Sequence, residues 1–100
     1  MGDFCMLRSI DIKSLKDKIG TINIIDIRSI EKYNSSHIET SRNVPSDILL
    51  NSPTKFLKKD EEYYIYCQYG KTSIRVCLAL YKQGFKTVNI NGGYEAWLLS

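Results

Sequence analysis

The sequence predicts an α/β fold: a central parallel five-stranded sheet with helices on both faces. Three observations carry this. Short apolar stretches rich in β-branched and aromatic residues alternate with segments of helical spacing. The stretch from Ile22 to Ile27 is almost continuously apolar, with Asn23 and Asp26 as its polar members, which suits a parallel strand covered on both sides. The helical segments open on capping residues and close on glycine.

Taken in order, Leu7 to Ile10 reads as a short first strand. Asp11 then caps a helix carrying Leu15 and Ile19, ended by Gly20. After the Ile22–Ile27 strand, Ser29 caps a short helix through Tyr33. Asn43-Val44-Pro45 reads as an edge strand stopped by proline. Residues 46–60 suggest one or two helical turns around Pro53. Tyr63 to Tyr66 reads as a buried strand. Residues 72–83 form a helix, with Ile74, Cys77, Leu78 and Tyr81 on its apolar face and Gly84 as C-terminal cap. Thr87 to Ile90 is the last strand, Gly92-Gly93 a turn, and Tyr94 to Leu99 a closing helix, on which Trp97 reads as core.

At 100 residues the chain is expected to be one domain, residues 1–100, long enough to bury a core of its own. Three cysteines and one histidine supply no disulfide framework and no zinc pattern, which predicts a reducing compartment and no metal; no cofactor is expected. No apolar run approaches membrane-spanning length, and Met1 to Ile10 lacks the basic start and long apolar stretch of a signal peptide. The expected location is cytoplasmic, away from membranes. A net charge of +3, from 14 basic and 11 acidic residues, is too mild to argue for nucleic acid. Lys55, Lys58 and Lys59 lead into Asp60, Glu61 and Glu62, a pattern of a solvated loop or helix end.

The most informative segment is Cys67-Gln68-Tyr69-Gly70-Lys71-Thr72-Ser73, between the 63–66 strand and the 72–83 helix. In parallel sheets the carboxyl edge of the strands is where ligands bind. A helix N-terminus there offers unpaired N–H groups and partial positive charge, which favour thiolate over thiol. Gly70 lets the loop turn so that successive amides form an anion nest. A free cysteine is more often a small buried hydrophobe, and Cys77 reads that way. Cys5 reads as an incidental thiol.

With these residues laid out, the chain resembles the single-domain rhodaneses, the thiosulfate sulfurtransferase family, over nearly its whole length. Asp26-Ile27-Arg28, Tyr33 and Ser36-His37-Ile38 are similar to the family's Asp-x-Arg…Gly-His-Ile signature. Val44-Pro45 matches the next segment, and residues 67–73 the active-site loop. Gly84-Phe85, Val88 and Gly92-Gly93-Tyr94-Glu95-Ala96-Trp97 match the C-terminal signature. Ser36 stands where the family has glycine, so the resemblance implies a position of positive φ, strained by on the order of 1 kcal/mol. Lys32 replaces a common acidic residue, a surface change expected to matter little. Thr72 stands where many relatives carry arginine, so Lys71 is the nearest loop cation.

The resemblance implies that Cys67 takes the outer sulfur of a small anionic donor such as thiosulfate, becomes a persulfide, and passes that sulfur to cyanide, a thiol or a protein acceptor. Gln68, Tyr69, Gly70, Lys71, Thr72 and Ser73 would bind the substrate, and Asp26 and Arg28 would shape the site's rim. His37 is expected to be structural rather than a base. The expected assembly is a monomer. A persulfide carrier serving a partner protein is the alternative. A phosphatase-like or arsenate-reducing relative is disfavoured, because the first arginine after Cys67 is Arg75, inside the helix.

Overall fold

The computed structural model describes residues 7–100. Cys5 lies outside the described residues. Five strands run parallel: β1 (Arg8–Ile10), β2 (Asn23–Asp26), β3 (Arg42–Asn43), β4 (Glu62–Tyr66) and β5 (Lys86–Ile90). Their order across the sheet is β1-β5-β4-β2-β3, so β4 is central. The helices are α1 (Ile12–Lys16), α2 (Ile30–Ser35), α3 (Ser46–Asn51), α4 (Pro53–Phe56), α5 (Lys71–Lys82) and α6 (Gly93–Leu98). Among the described residues, no helix is long and apolar enough to cross a membrane.

The two-residue period of the strands divides the core into two layers. Ile25, Ile27, Tyr63 and Ile65 pack with Leu49, Val76, Cys77 and Leu80 on the face covered by α3 and α5. Ile24, Tyr64, Tyr66, Val88 and Ile90 pack with Ile12, Leu15 and Tyr94 on the face covered by α1 and α6. Trp97 packs against this second layer from a half-buried position, with the Lys16 ammonium 5.5 Å from its ring centroid.

Capping is as the residues suggest. Asp11 accepts a bond from the Ser14 amide at 2.8 Å, which holds its carboxyl below the usual range. Ser29 accepts from the Lys32 amide at the start of α2. The helix after Asp11 ends at Lys16 rather than reaching Ile19; turns lead on to Gly20, and Ile19 still packs on the core.

Two expectations are corrected. The buried stripe of α5 is Ser73, Val76, Cys77 and Leu80, whereas Ile74 and Tyr81 are exposed. The stripes 73/76/77/80 and 74/77/78/81 have the same helical spacing, and a serine in the first hides it from a hydrophobic reading. Ser36 is not strained: its φ of −170° is ordinary extended backbone. The chain instead passes through the left-handed region at Thr40, with φ 68°.

Candidate active site

Cys67 follows the last residue of β4, and its sulfur is the hub of the loop that leads into α5. Gly70, at φ 99°, is the residue that caps α5 and turns the chain back over the cysteine. Two amides donate to Cys67 Sγ, Gly70 N at 3.1 Å and Ser73 N at 3.2 Å. The Ser73 hydroxyl lies 3.3 Å from the same sulfur. Two N–H dipoles and a helix start aimed at one sulfur atom suit an anion there. Cys77 is the contrast: it is wholly buried in the layer below, and burial pushes its thiol up to about 12.

The loop is held from behind by α6. Tyr94 N donates to the Cys67 carbonyl at 2.9 Å and Glu95 N to the Gln68 carbonyl at 3.0 Å. Gln68 is pinned between two elements, since its Nε2 donates to Glu95 Oε2 at 2.8 Å and its Oε1 accepts from Arg28 Nη1 at 3.2 Å.

Asp26 and Arg28 form a buried ion pair at the end of β2. Arg28 Nη2 lies 2.7 Å from Asp26 Oδ2, Nε lies within 3.1 Å of both carboxylate oxygens, and the Arg28 amide donates to Oδ1 at 2.8 Å. Burial works against the guanidinium's charge; the Asp26 carboxylate outweighs it and raises the Arg28 pKa. The guanidinium also donates to the Ser36 carbonyl and sits 4.2 Å from the Tyr94 ring centroid. One side chain thus ties β2, the segment after α2, the Cys67 loop and α6 together.

Cys67, Gln68 and Thr72 line an open cavity of about 270 Å³, with Arg28, Lys32 and Ser46 among its walls. A neighbouring cavity of about 240 Å³ shares Arg28, Lys32 and Gln68 and adds Tyr69 and Tyr94. Tyr69 is 68% exposed there. The cations lining these cavities are Arg28 and Lys32; Lys71, at the first turn of α5, faces neither. His37 stacks on Tyr33 and hydrogen-bonds its carbonyl at 2.8 Å, in contact with neither cavity. Among the described residues, no cluster of His, Cys, Asp or Glu could hold a metal ion.

The rhodanese-like domain family model matches residues 11–100, a range that includes this loop. The chain belongs to the rhodanese-like domain family. It is 37% identical to YtwF of Bacillus subtilis (strain 168), named as a candidate sulfurtransferase, over 91% of this chain and 90% of that protein. It is 32% identical to the thiosulfate sulfurtransferase GlpE of Coxiella burnetii (strain RSA 331 / Henzerling II), over 76% and 71% of the two chains. Among solved structures, a rhodanese-like domain protein of Staphylococcus aureus superposes with TM-score 0.83 at 31% identity, covering 91% of each chain. The parallel sheet with helices on both faces is the rhodanese-like fold.

Reading this rhodanese-like domain from sequence left three of its site residues unassigned. Lys32, taken as a surface change, lines both cavities. Glu95 fixes Gln68. Asn89 accepts from the Ser73 hydroxyl at 2.6 Å. Asn89 had left a signal, an amide between Val88 and Ile90 in a buried strand. Glu95 stood within the C-terminal signature and Lys32 at a departure from the family pattern, but a charged residue on a short helix is ordinarily solvated, so neither pointed to the site.

Proposed function

We propose that this domain is a sulfurtransferase working through a Cys67 persulfide, with thiosulfate or a similar anionic sulfane as donor. The observation that carries it is the convergence of the Gly70 and Ser73 amides on Cys67 Sγ at the floor of an open cavity. The Cys67 thiolate attacks the outer sulfur of thiosulfate. A new S–S bond forms as the old one breaks, and sulfite leaves with the bonding pair. The acceptor then attacks the terminal sulfur; cyanide leaves as thiocyanate and the Cys67 thiolate returns. Gly70 and Ser73 amides stabilise the anion at each stage, and Arg28 and Lys32 offset the donor's negative charge. Gln68, Tyr69, Lys71 and Thr72 complete the loop around the donor, while Asp26 acts only through Arg28.

A carrier role is the second reading. One relative, YrkF of Bacillus subtilis (strain 168), is named as a candidate sulfur carrier protein; the chain is 32% identical to it but spans only 49% of its length. Exposed Tyr69 beside the cavity suits contact with a protein acceptor.

Intact mass after thiosulfate treatment tests the shared step. One added sulfur atom in the wild type and none in Cys67→Ser is expected; addition that survives in Cys67→Ser overturns the assignment. A steady-state rate with cyanide then favours the enzyme, and loading without turnover favours the carrier.

A further inference from the structure

We propose that Asn89 is a positioning residue that competes with Cys67 for the single hydroxyl proton of Ser73. The proposal rests on Cys67 being the reactive thiol. Ser73 Oγ has three neighbours: Asn89 Oδ1 at 2.6 Å, Cys67 Sγ at 3.3 Å and the Gly70 carbonyl at 3.3 Å. A hydroxyl carries one proton and can donate it along one of these directions. The shortest contact by far is to Asn89. With the proton there, Ser73 turns a lone pair toward the sulfur, an arrangement that suits a thiol S–H and opposes a thiolate or persulfide anion.

Asn89 is held in the orientation that makes it an acceptor. Its Nδ2 donates to Asn91 Oδ1 at 3.2 Å, and Asn91 Nδ2 in turn reaches Ser9 Oγ on β1 at 3.4 Å. Both Asn89 and Ser73 are almost wholly buried, so no solvent substitutes for a lost partner. For Ser73 to donate to a Cys67 anion, its proton must leave Asn89 Oδ1 unpaired in the interior. The anion is therefore held by two amides, with the third donor restrained by β5. Of the charged or titratable groups around the site, Arg28 with its partner Asp26, Lys32, Lys71 and Cys77, none shares a hydrogen bond with Ser73 or Asn89.

The test is the pH profile of Cys67 alkylation by iodoacetamide, which reads the anion without needing sulfur transfer. Asn89→Leu frees the Ser73 proton, and the profile midpoint is expected to move down by about half to one pH unit, or about three- to tenfold in anion fraction below it. Asn89→Asp keeps the shape, draws the proton more strongly and adds negative charge; its midpoint is expected to move up. In a Ser73→Ala background, Asn89→Leu should move nothing further. An unmoved midpoint in both Asn89 variants, or a Leu shift that persists without the Ser73 hydroxyl, overturns the proposal. Should Asn89→Leu fail to fold, the Asp variant carries the test alone. Failure of thiosulfate to load Cys67 would sink the proposed function and leave this result standing.

Discussion

The amide of Tyr94 donates to the carbonyl of Cys67 at 2.9 Å, so the residue proposed as the nucleophile is fastened to the N-terminus of the last helix. The fastening depends on Gly93, whose backbone passes so close that an added Cβ would sit 2.4 Å from the Cys67 carbonyl oxygen. At φ 60° the position also disfavours a side chain. Gly93→Ala is expected to destabilise the domain by about 3 kcal/mol and to lower sulfur loading in the fraction that stays folded. Urea unfolding followed by mass measurement of the folded protein would show it; wild-type stability would mean that α6 can move off the loop freely.

The two described cysteines should differ sharply in reactivity. Cys67 lies at a cavity floor with two amide donors, and Cys77 lies in the core with its thiol pushed up to about 12. Peptide mapping after brief iodoacetamide exposure at mildly acid pH is expected to find Cys67 modified and Cys77 intact until the protein unfolds. Native-state labelling of Cys77 would mean that α5 opens locally.

Cys77 also makes stability fall on the alkaline side. Below its ordinary value of 9.0 the thiol keeps its proton in both states, and the contribution is fully present. As pH rises from there toward about 12, the unfolded chain releases a proton that the folded one keeps. Stability should drop by up to about 1.4 kcal/mol per pH unit in that window from this group alone. Burial raises the Tyr64 and Tyr66 phenols as well, which adds a decline of the same sign. Cys77→Ala, although less stable at neutral pH, should show a shallower alkaline limb in denaturant titrations. An equally steep limb would assign the whole effect to the tyrosines.

Lys32 and Lys71 are expected to make separable contributions to donor binding. Lys32 lines the cavity above Cys67 and Lys71 does not. Removing one cation near a partly exposed dianion should cost on the order of 1 kcal/mol, several-fold in affinity. Lys32→Ala is expected to raise KM for thiosulfate, with a smaller effect on kcat and a flatter salt dependence of kcat/KM. Lys71→Ala should do the same more weakly, through longer-range attraction. A larger effect at Lys71 would show that the donor enters from the α5 side.

Backbone strain sits at Thr40 and not at Ser36. Thr40→Gly should stabilise by about 0.5 kcal/mol, as release from the left-handed region slightly exceeds glycine's entropy cost. Ser36→Gly, at an extended position, should lose about 0.5 to 1 kcal/mol. Paired urea titrations decide this, and stabilisation by Ser36→Gly would reverse it.

The sequence by itself determined the alternation of strands and helices, the parallel sheet with two covered faces, and Cys67 at a strand end before a helix. These follow from local rules: a side-chain period of two or 3.6, capping residues, and the turn chemistry of Gly70. The order of its motifs, with Asp26, Arg28 and the Gly92-Gly93 turn among them, also pointed to the family whose model matches residues 11–100. Tertiary structure alone decided which stripe of α5 is buried, because adjacent stripes share one spacing and Ser73 is interior only through its hydrogen bonds to Asn89 and Cys67. It also decided that Lys32 faces the cavity, and that the left-handed residue is Thr40. These depend on contacts between α2, β5, α6 and the loop, elements far apart in the chain, and residue type carries no record of a neighbour brought close only by folding.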